Sequence, residues 1–171
     1  MTAIIEYFEQ FKEFGIFIIS MIPIIELRGA IPAGIALGIN PAIVYPICVI
    51  ANMLPIPFIL AFIRPIFNWL KKWKAFSFIK KIEDRALNKS EKIQKRSFLG
   101  LMIFVAIPFP GTGGWTGALI AALLNMRMKK ALPAIFFGIL ISGALVLTVT
   151  LILKYGVVES GALKSILEFL K

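Results

Sequence analysis

Two ionisable residues stand two positions apart inside a greasy stretch. They are Glu26 and Arg28, in "MIPIIELRGAIPAG" (residues 21–34). A charge at bilayer depth is costly and marks function by default. The planar guanidinium fork of Arg28 suits a phosphate or carboxylate. The chain contains no histidine, so proton chemistry falls to carboxylates. Two readings stay open here. In one, Glu26 and Arg28 form an internal ion pair that cancels both charges and pins the segment. In the other they have separate jobs: Arg28 binds an anionic headgroup and Glu26 carries the coupling proton. Desolvation then favours the neutral form of Glu26, and Arg28 favours its charged form. In a helix, positions i and i+2 point about 200° apart. An extended tip would bring both side chains to one side, and Pro23, Gly29 and Pro32 favour such a tip.

A second unusual stretch is "PFPGTGGWTGA", residues 108–118. Pro110, Gly111, Gly113 and Gly114 oppose a regular helix. Their backbone amides, and the start of the helix that follows, attract anions. Thr112 and Thr116 add hydroxyls. Trp115 reads as a gate, a stacking surface or filler. The stretch is no nucleotide loop: position 116 breaks GxGxxG, and no GK[ST] follows. Gly113 with Gly117, and Gly34 with Gly38, form GxxxG pairs, so close helix packing alone is the competing reading. Asn52 lies in an apolar run near Pro55 and Pro57. Its amide either faces the tips or satisfies carbonyls that those prolines free. Asn40 and Asn125 read as helix caps. Ser142, Thr148 and Thr150 are expected to bond back to their own helix.

These residues must be held by membrane-embedded elements. The chain has 171 residues, 59% hydrophobic and 16% charged. Soluble domains hold about 45–50% apolar and about 25% charged residues. The sequence therefore reads as an all-α integral membrane protein. Apolar runs cover 14–25, 30–39, 42–63, 98–110, 118–126 and 132–153. A span needs about 20 residues, which only 42–63 and 132–153 reach. The four short runs pair around "ELRG" and "GTGGWTG" and are expected to form re-entrant helical hairpins. Irregular backbone survives at membrane depth only when it is buried or lines a wet cavity. Residues 1–15 read as an amphipathic interfacial helix.

One membrane domain is expected over 1–171. Residues 1–63 form a first repeat with the interfacial helix, 64–97 a basic connector, 98–153 a second repeat and 154–171 a tail. The connector has eleven Lys/Arg and three Asp/Glu. That asymmetry reads as the cytoplasmic side and an anionic lipid surface rather than nucleic acid. Trp69, Trp73, Phe76 and Phe78 are expected at headgroup level. Arg127, Lys129 and Lys130 fall on the same side, so both termini lie outside a plasma membrane. The two halves then face opposite ways. Aligned without gaps at an offset of 85, residues 23–50 and 108–135 match at seven of 28 positions, including Pro23/Pro108, Gly29/Gly114 and Asn40/Asn125. This reads as an inverted repeat, a plan that places a transport site near the midplane.

"ELRGAIP" followed about 85 residues later by "PFPGTGGWTGA" resembles the small multidrug export protein family. That family is in turn similar to the DedA/VTT superfamily of membrane proteins with facing re-entrant hairpins. The resemblance covers roughly residues 15–153. It implies export or, through the DedA-like relatives, lipid movement. The chain departs from the DedA pattern in having no arginine in its second tip.

The expected function is therefore a membrane transporter of an anionic amphiphile such as a lipid-linked phosphate, with a proton as the candidate coupling ion. The alternative is a small multidrug exporter of cationic or amphipathic compounds, which would bind its cargo at Glu26. The expected substrate residues are Arg28, Asn52, Gly111, Thr112, Gly113, Gly114, Trp115 and Thr116, with Glu26 as the proton-coupling group. No nucleophile–base set or metal cluster is legible, so no enzyme, cofactor or metal is expected. A homodimer packed through small residues such as Gly138 and Ser142 would enclose the tips.

Overall fold

The computed structural model describes residues 2–70 and 91–159, with side chains for 11–63, 65 and 97–156. The expectations for Trp73, Phe76 and Phe78, for the side chain of Trp69, and for the tail beyond residue 159 lie outside what is described. What is described is helical: α1 (Thr2–Met21), α2 (Glu26–Ala36), α3 (Pro41–Met53), α4 (Ile56–Leu70), α5 (Glu91–Ala106), α6 (Gly114–Leu123) and α7 (Met128–Glu159). Two stretches are long and apolar enough to cross a membrane, Pro41–Ile63 and Met128–Gly156. The first is interrupted at Leu54–Pro55, between α3 and α4. The apolar helices Ser97–Ala106 and Gly114–Leu123 are 10 residues each, about 15 Å at 1.5 Å per residue. That is half of a hydrocarbon core of about 30 Å. The segment expected at the interface and the expected short first arm are one continuous helix of 20 residues, α1, because the stretch between them holds no proline before Pro23.

Both breaks fall earlier than expected. The first occupies only residues 22–25, and "ELRG" already belongs to α2. The second runs from Ile107 to Gly113, so Trp115, Thr116 and Gly117 are helical. Prolines explain the shift. A proline donates no amide hydrogen and clashes with the preceding turn, so Pro23 ends the first arm and Pro108 the third. Glu26, Leu27 and Ala30 are good helix formers and restart the chain at once. Pro32, expected to help keep the tip open, lies inside α2.

The second break is built as defined turns. Phe109 donates its amide to the Ile107 carbonyl at 2.8 Å, across Pro108. The Thr112 amide then donates to the Phe109 carbonyl at 3.2 Å, with Pro110 and Gly111 at the corner. Gly111 has φ +86°, the left-handed value that the third position of a type II turn requires.

The ends of α2 and α6 share one motif. The Gly38 and Ile39 amides donate back to Ile35 and Gly34, and those of Asn125 and Met126 to Ala122 and Ala121. Gly38 (φ +82°) and Asn125 (φ +50°) supply the left-handed residue that this C-terminal motif needs. Asn40 caps α3 instead, its side chain accepting from the Ala42 amide at 2.9 Å. Both asparagines therefore cap, but at opposite helix ends. The position equivalent to Asn40 is Arg127, whose carbonyl opens α7, two residues beyond the ungapped alignment.

Packing is close wherever small residues meet neighbours. α5 lies against α7, α1 against α2 and α3, α2 and α3 against α7, and α4 against α6. A Cβ on Gly138 would come within 2.6 Å of Val105 Cβ and 2.8 Å of the Met102 carbonyl. Gly138 thus brings α5 and α7 together within the chain. Ser142 is also buried, at 2% exposure. These two residues, expected to pack between copies, are used inside one. Gly34 likewise meets Val44, while Gly38 contributes a turn rather than a contact. Thr148 and Thr150 bond back to Ala144 and Val146 as expected. Ser142 does not: its hydroxyl has no partner. The core includes Ile16, Leu27, Ile31, Ile35, Val44, Ile56, Leu60, Val105, Ile135 and Ile139.

Gly138→Ala is expected to destabilise the protein by about 1–3 kcal/mol, as overpacking does, because a backbone carbonyl blocks the new methyl. Gly100→Ala, on the same α5 but with nothing within 4 Å of its added Cβ, should be neutral or slightly stabilising. Thermal unfolding in detergent compares the two.

Candidate functional site where the two breaks meet

Glu26 is the first residue of α2 and has φ +52°. A non-glycine residue in the left-handed region is uncommon and costs about 1–3 kcal/mol. This one turn throws the carboxyl away from the direction that Arg28 takes. The Glu26 side chain is 4% exposed and reaches the start of α6. There its Oε1 accepts a long hydrogen bond, 3.4 Å, from the Trp115 amide. The Gly114 amide also points at the carboxylate. A Cβ on Gly113 would stand 1.6 Å from Oε2. Gly113 therefore leaves the space that the carboxylate fills.

Arg28 goes to the other side of the same break. Nη1 donates to the Phe109 carbonyl, and Nη2 donates to the Ile107 carbonyl at 3.2 Å and to the Thr112 hydroxyl at 2.9 Å. Thr112 in turn donates toward the same two carbonyls, at 2.6 and 2.8 Å. These carbonyls follow directly on α5, where the negative end of a helix dipole lies. Arg28 thus complements the end of α5 and Glu26 the start of α6. The geometry gives the two side chains separate partners, Glu26 the start of α6 and Arg28 the carbonyls that follow α5.

Asn52 is fully buried on α3. Its Oδ1 lies 3.2 Å from where a Cβ on Gly114 would stand. It faces the tips and not the proline-freed carbonyls. Neither its Oδ1 nor its Nδ2 has a hydrogen-bond partner, and the same holds for Trp115 Nε1 and Arg28 Nε. The structure thus brings together Glu26, Arg28, Asn52, Thr112, Gly113, Gly114 and Trp115. Gly111 is exposed at the turn corner, and Thr116 follows in the first turn of α6. Gly117 packs on Val105 instead. Among the described residues, no group of carboxylates, cysteines or histidines could hold a metal ion.

A groove beside the second break, at Pro108, was not read from the sequence. It holds about 340 Å³ and is lined by Pro32, Pro108, Leu145, Val146, Val149, Thr150 and Leu153. Its apolar face comes from one side of α7, where positions 145, 146, 149, 150 and 153 recur at helical spacing. That stripe alone looks the same as any lipid-facing span. Only the fold shows Pro32 and Pro108 closing it. Lys154, the residue after Leu153 of the groove, donates to the Ile35 carbonyl at 3.2 Å near the end of α2.

A sequence model of the family described as "Putative small multi-drug export protein" matches residues 26–145. The chain belongs to that family. The family match opens on Glu26, directly after the first break, and takes in the second break, Asn52 and the groove residues Pro32, Pro108 and Leu145. No curated protein and no solved structure matches the chain. The family's name points to small multi-drug export, and the family and the two long apolar helices together mark a membrane protein.

Gly113→Ala should push the carboxylate off the start of α6. Its loss of thermal stability should therefore equal that of Glu26→Ala, and the double variant should be no worse than either single one. Additive losses in this double-mutant cycle would contradict the contact. Arg28→Lys should cost about 2 kcal/mol, because one ammonium cannot serve three acceptors set for a planar fork. Unfolding in detergent measures it.

Proposed function

We propose that the protein is a membrane transporter that moves an amphiphile with an anionic headgroup, such as a lipid-linked phosphate, with a proton on Glu26 as the coupling step. One observation carries this reading. A buried carboxylate and a guanidinium meet the two ends of a broken helix beside an apolar groove of about 340 Å³. The groove suits an acyl or prenyl tail. The positive end of α6, with Arg28 beside it, suits an anion. Glu26 is the group whose charge a proton changes.

The membrane arrangement belongs to the same proposal. Arms of 10 and 11 residues support hairpins that enter and leave on one side. The exchange of contacts between halves, α2 on α7 and α6 on α4, supports an inverted repeat. The basic segment 64–97 then faces the cytoplasm of a plasma membrane, and both ends of the chain face outside. A homodimer would use surfaces other than Gly138 and Ser142. A DedA-like role in lipid movement is the form of the proposal that the apolar groove favours.

The second reading is export of cationic or amphipathic compounds. The family's name favours it, and Glu26 is a buried carboxylate able to take a cation. Arg28 on the same turn opposes it by like-charge repulsion.

Proteoliposomes with an imposed pH gradient separate the two. On the first reading, a fluorescent anionic amphiphile moves. Arg28→Ala slows it by about tenfold or more, the loss of about 1.4 kcal/mol of binding or barrier. Glu26→Gln still moves it, without response to the gradient. Movement of a cationic dye instead, lost in Glu26→Gln and improved in Arg28→Ala, would establish the second reading.

A further inference from the structure

Three donors around the breaks have nothing to hold. Asn52 Nδ2, Trp115 Nε1 and Arg28 Nε are buried and unpartnered, and Asn52 Oδ1 lies against Gly114. Buried polar groups are nearly always paired. Asn52 is fully buried and directed at the first residue of a ten-residue helix. A helix N-terminus is an anion site by construction. Here that site is occupied by an internal anion, the Glu26 carboxylate, through a hydrogen bond of 3.4 Å. The occupant is weakly held and can be discharged by a proton.

We infer that the amides at the start of α6 are the docking point for the anionic group of the substrate. It takes the place of the Glu26 carboxylate once that residue is protonated, and Asn52 serves as a second donor with its amide turned so that Nδ2 replaces the Oδ1 that faces Gly114. The inference rests on the transport reading for its substrate and places the headgroup within that site. Arg28 is not the primary dock, since the Ile107 and Phe109 carbonyls and Thr112 already hold its fork. It contributes positive potential at short range. Gly113 leaves room for an oxygen where a side chain would stand. The exchange conserves charge: one carboxylate is neutralised by one proton as one monoanion enters. Glu26 and the anion cannot share the amides, so protonation of Glu26 favours binding of the anion and binding of the anion favours protonation of Glu26.

Among the described residues, the charge facing Glu26 is Arg28, on its own helix. α6 carries no ionisable side chain. α3 carries Tyr45, whose hydroxyl donates to the Leu140 carbonyl, and Cys48, buried beside Ser20. Lys12 and Glu13 of α1 lie two turns or more from the break. The lysines of α7 stand toward its two ends.

Dihexyl phosphate is a suitable probe, a diester that keeps one negative charge across the working pH range. Binding to detergent-solubilised protein is read from Trp115 fluorescence in a Trp69→Phe, Trp73→Phe background. Wild-type affinity should rise as pH falls. Glu26→Gln should bind about tenfold tighter than wild type at neutral pH, the scale of one charge-assisted hydrogen bond, and be flat with pH. Asn52→Leu in that background should lose about tenfold. Equal affinities in wild type and Glu26→Gln, no loss in Asn52→Leu, or stronger binding of dihexyldimethylammonium overturns the site. Should Glu26→Gln fail to fold, the wild-type titration decides, and an affinity that is flat or falls on acidification overturns it. This binding pattern without movement in vesicles sinks the transport reading and leaves the site standing. Movement without the pattern sinks the site alone.

Discussion

A helix broken in a low-dielectric medium leaves amides at one new end and carbonyls at the other, with no water to satisfy them. Here one short motif on another helix answers both. The Glu26 carboxylate meets the start of α6, and the Arg28 guanidinium meets the carbonyls that follow α5. Each isolated charge at this depth would be costly. Each isolated helix end would be costly too. Together they form four alternating charges and partial charges, and hydrogen bonds to charged groups contribute about 1.5–3 kcal/mol each. This explains why a greasy segment tolerates both residues. Removing one partner would strand the others, so neither residue can be exchanged alone without loss.

The rest of the fold holds that meeting point in place. Leu27, Ile31 and Ile35 are buried on α2, which lies against α1, α3 and α7. Between helices in lipid there is no hydrophobic drive, and close approach of small residues gives the packing. Gly34 on Val44, Gly117 on Val105 and Gly138 on the Met102 carbonyl set those distances. The break in α5–α6 is therefore fixed from the α7 side by glycines and from the α2 side by charges.

Much of this was legible because proline, glycine and charge are rare in apolar sequence. The two long apolar stretches, three of the four short arms and the cluster of Glu26, Arg28 and residues 112–115 follow from spacing and type. The exact breaks did not, because the conspicuous charges and glycines draw attention away from the prolines that stop the helices. The left-handed Glu26 is invisible in sequence, since nothing marks a glutamate for positive φ. That one dihedral replaced the extended tip with a helix and still separated the two side chains. Gly138 and Ser142 carry the composition of an intermolecular seam, and composition cannot say which face a small residue serves. The groove was hidden for the same reason: its apolar stripe on α7 is ordinary until Pro32 and Pro108 close it.

The two contacts across the break are unequal, and the inequality has a direction. Arg28 reaches three acceptors, two of which Thr112 also ties together. None of these groups loses its bonding capacity in the accessible pH range, because guanidinium stays protonated. Glu26 has a hydrogen bond of 3.4 Å, a strained φ and a titratable charge. Any separation of the breaks should therefore begin at the start of α6 and turn about the Arg28 knot. Strain released at Glu26 favours that opening, whereas the knot keeps Pro108 beside Pro32 and preserves the groove. A motion of this kind exposes the α6 amides and Asn52 while the apolar lining remains assembled; on the proposed transport reading, a headgroup would exchange there while its tail stays in place.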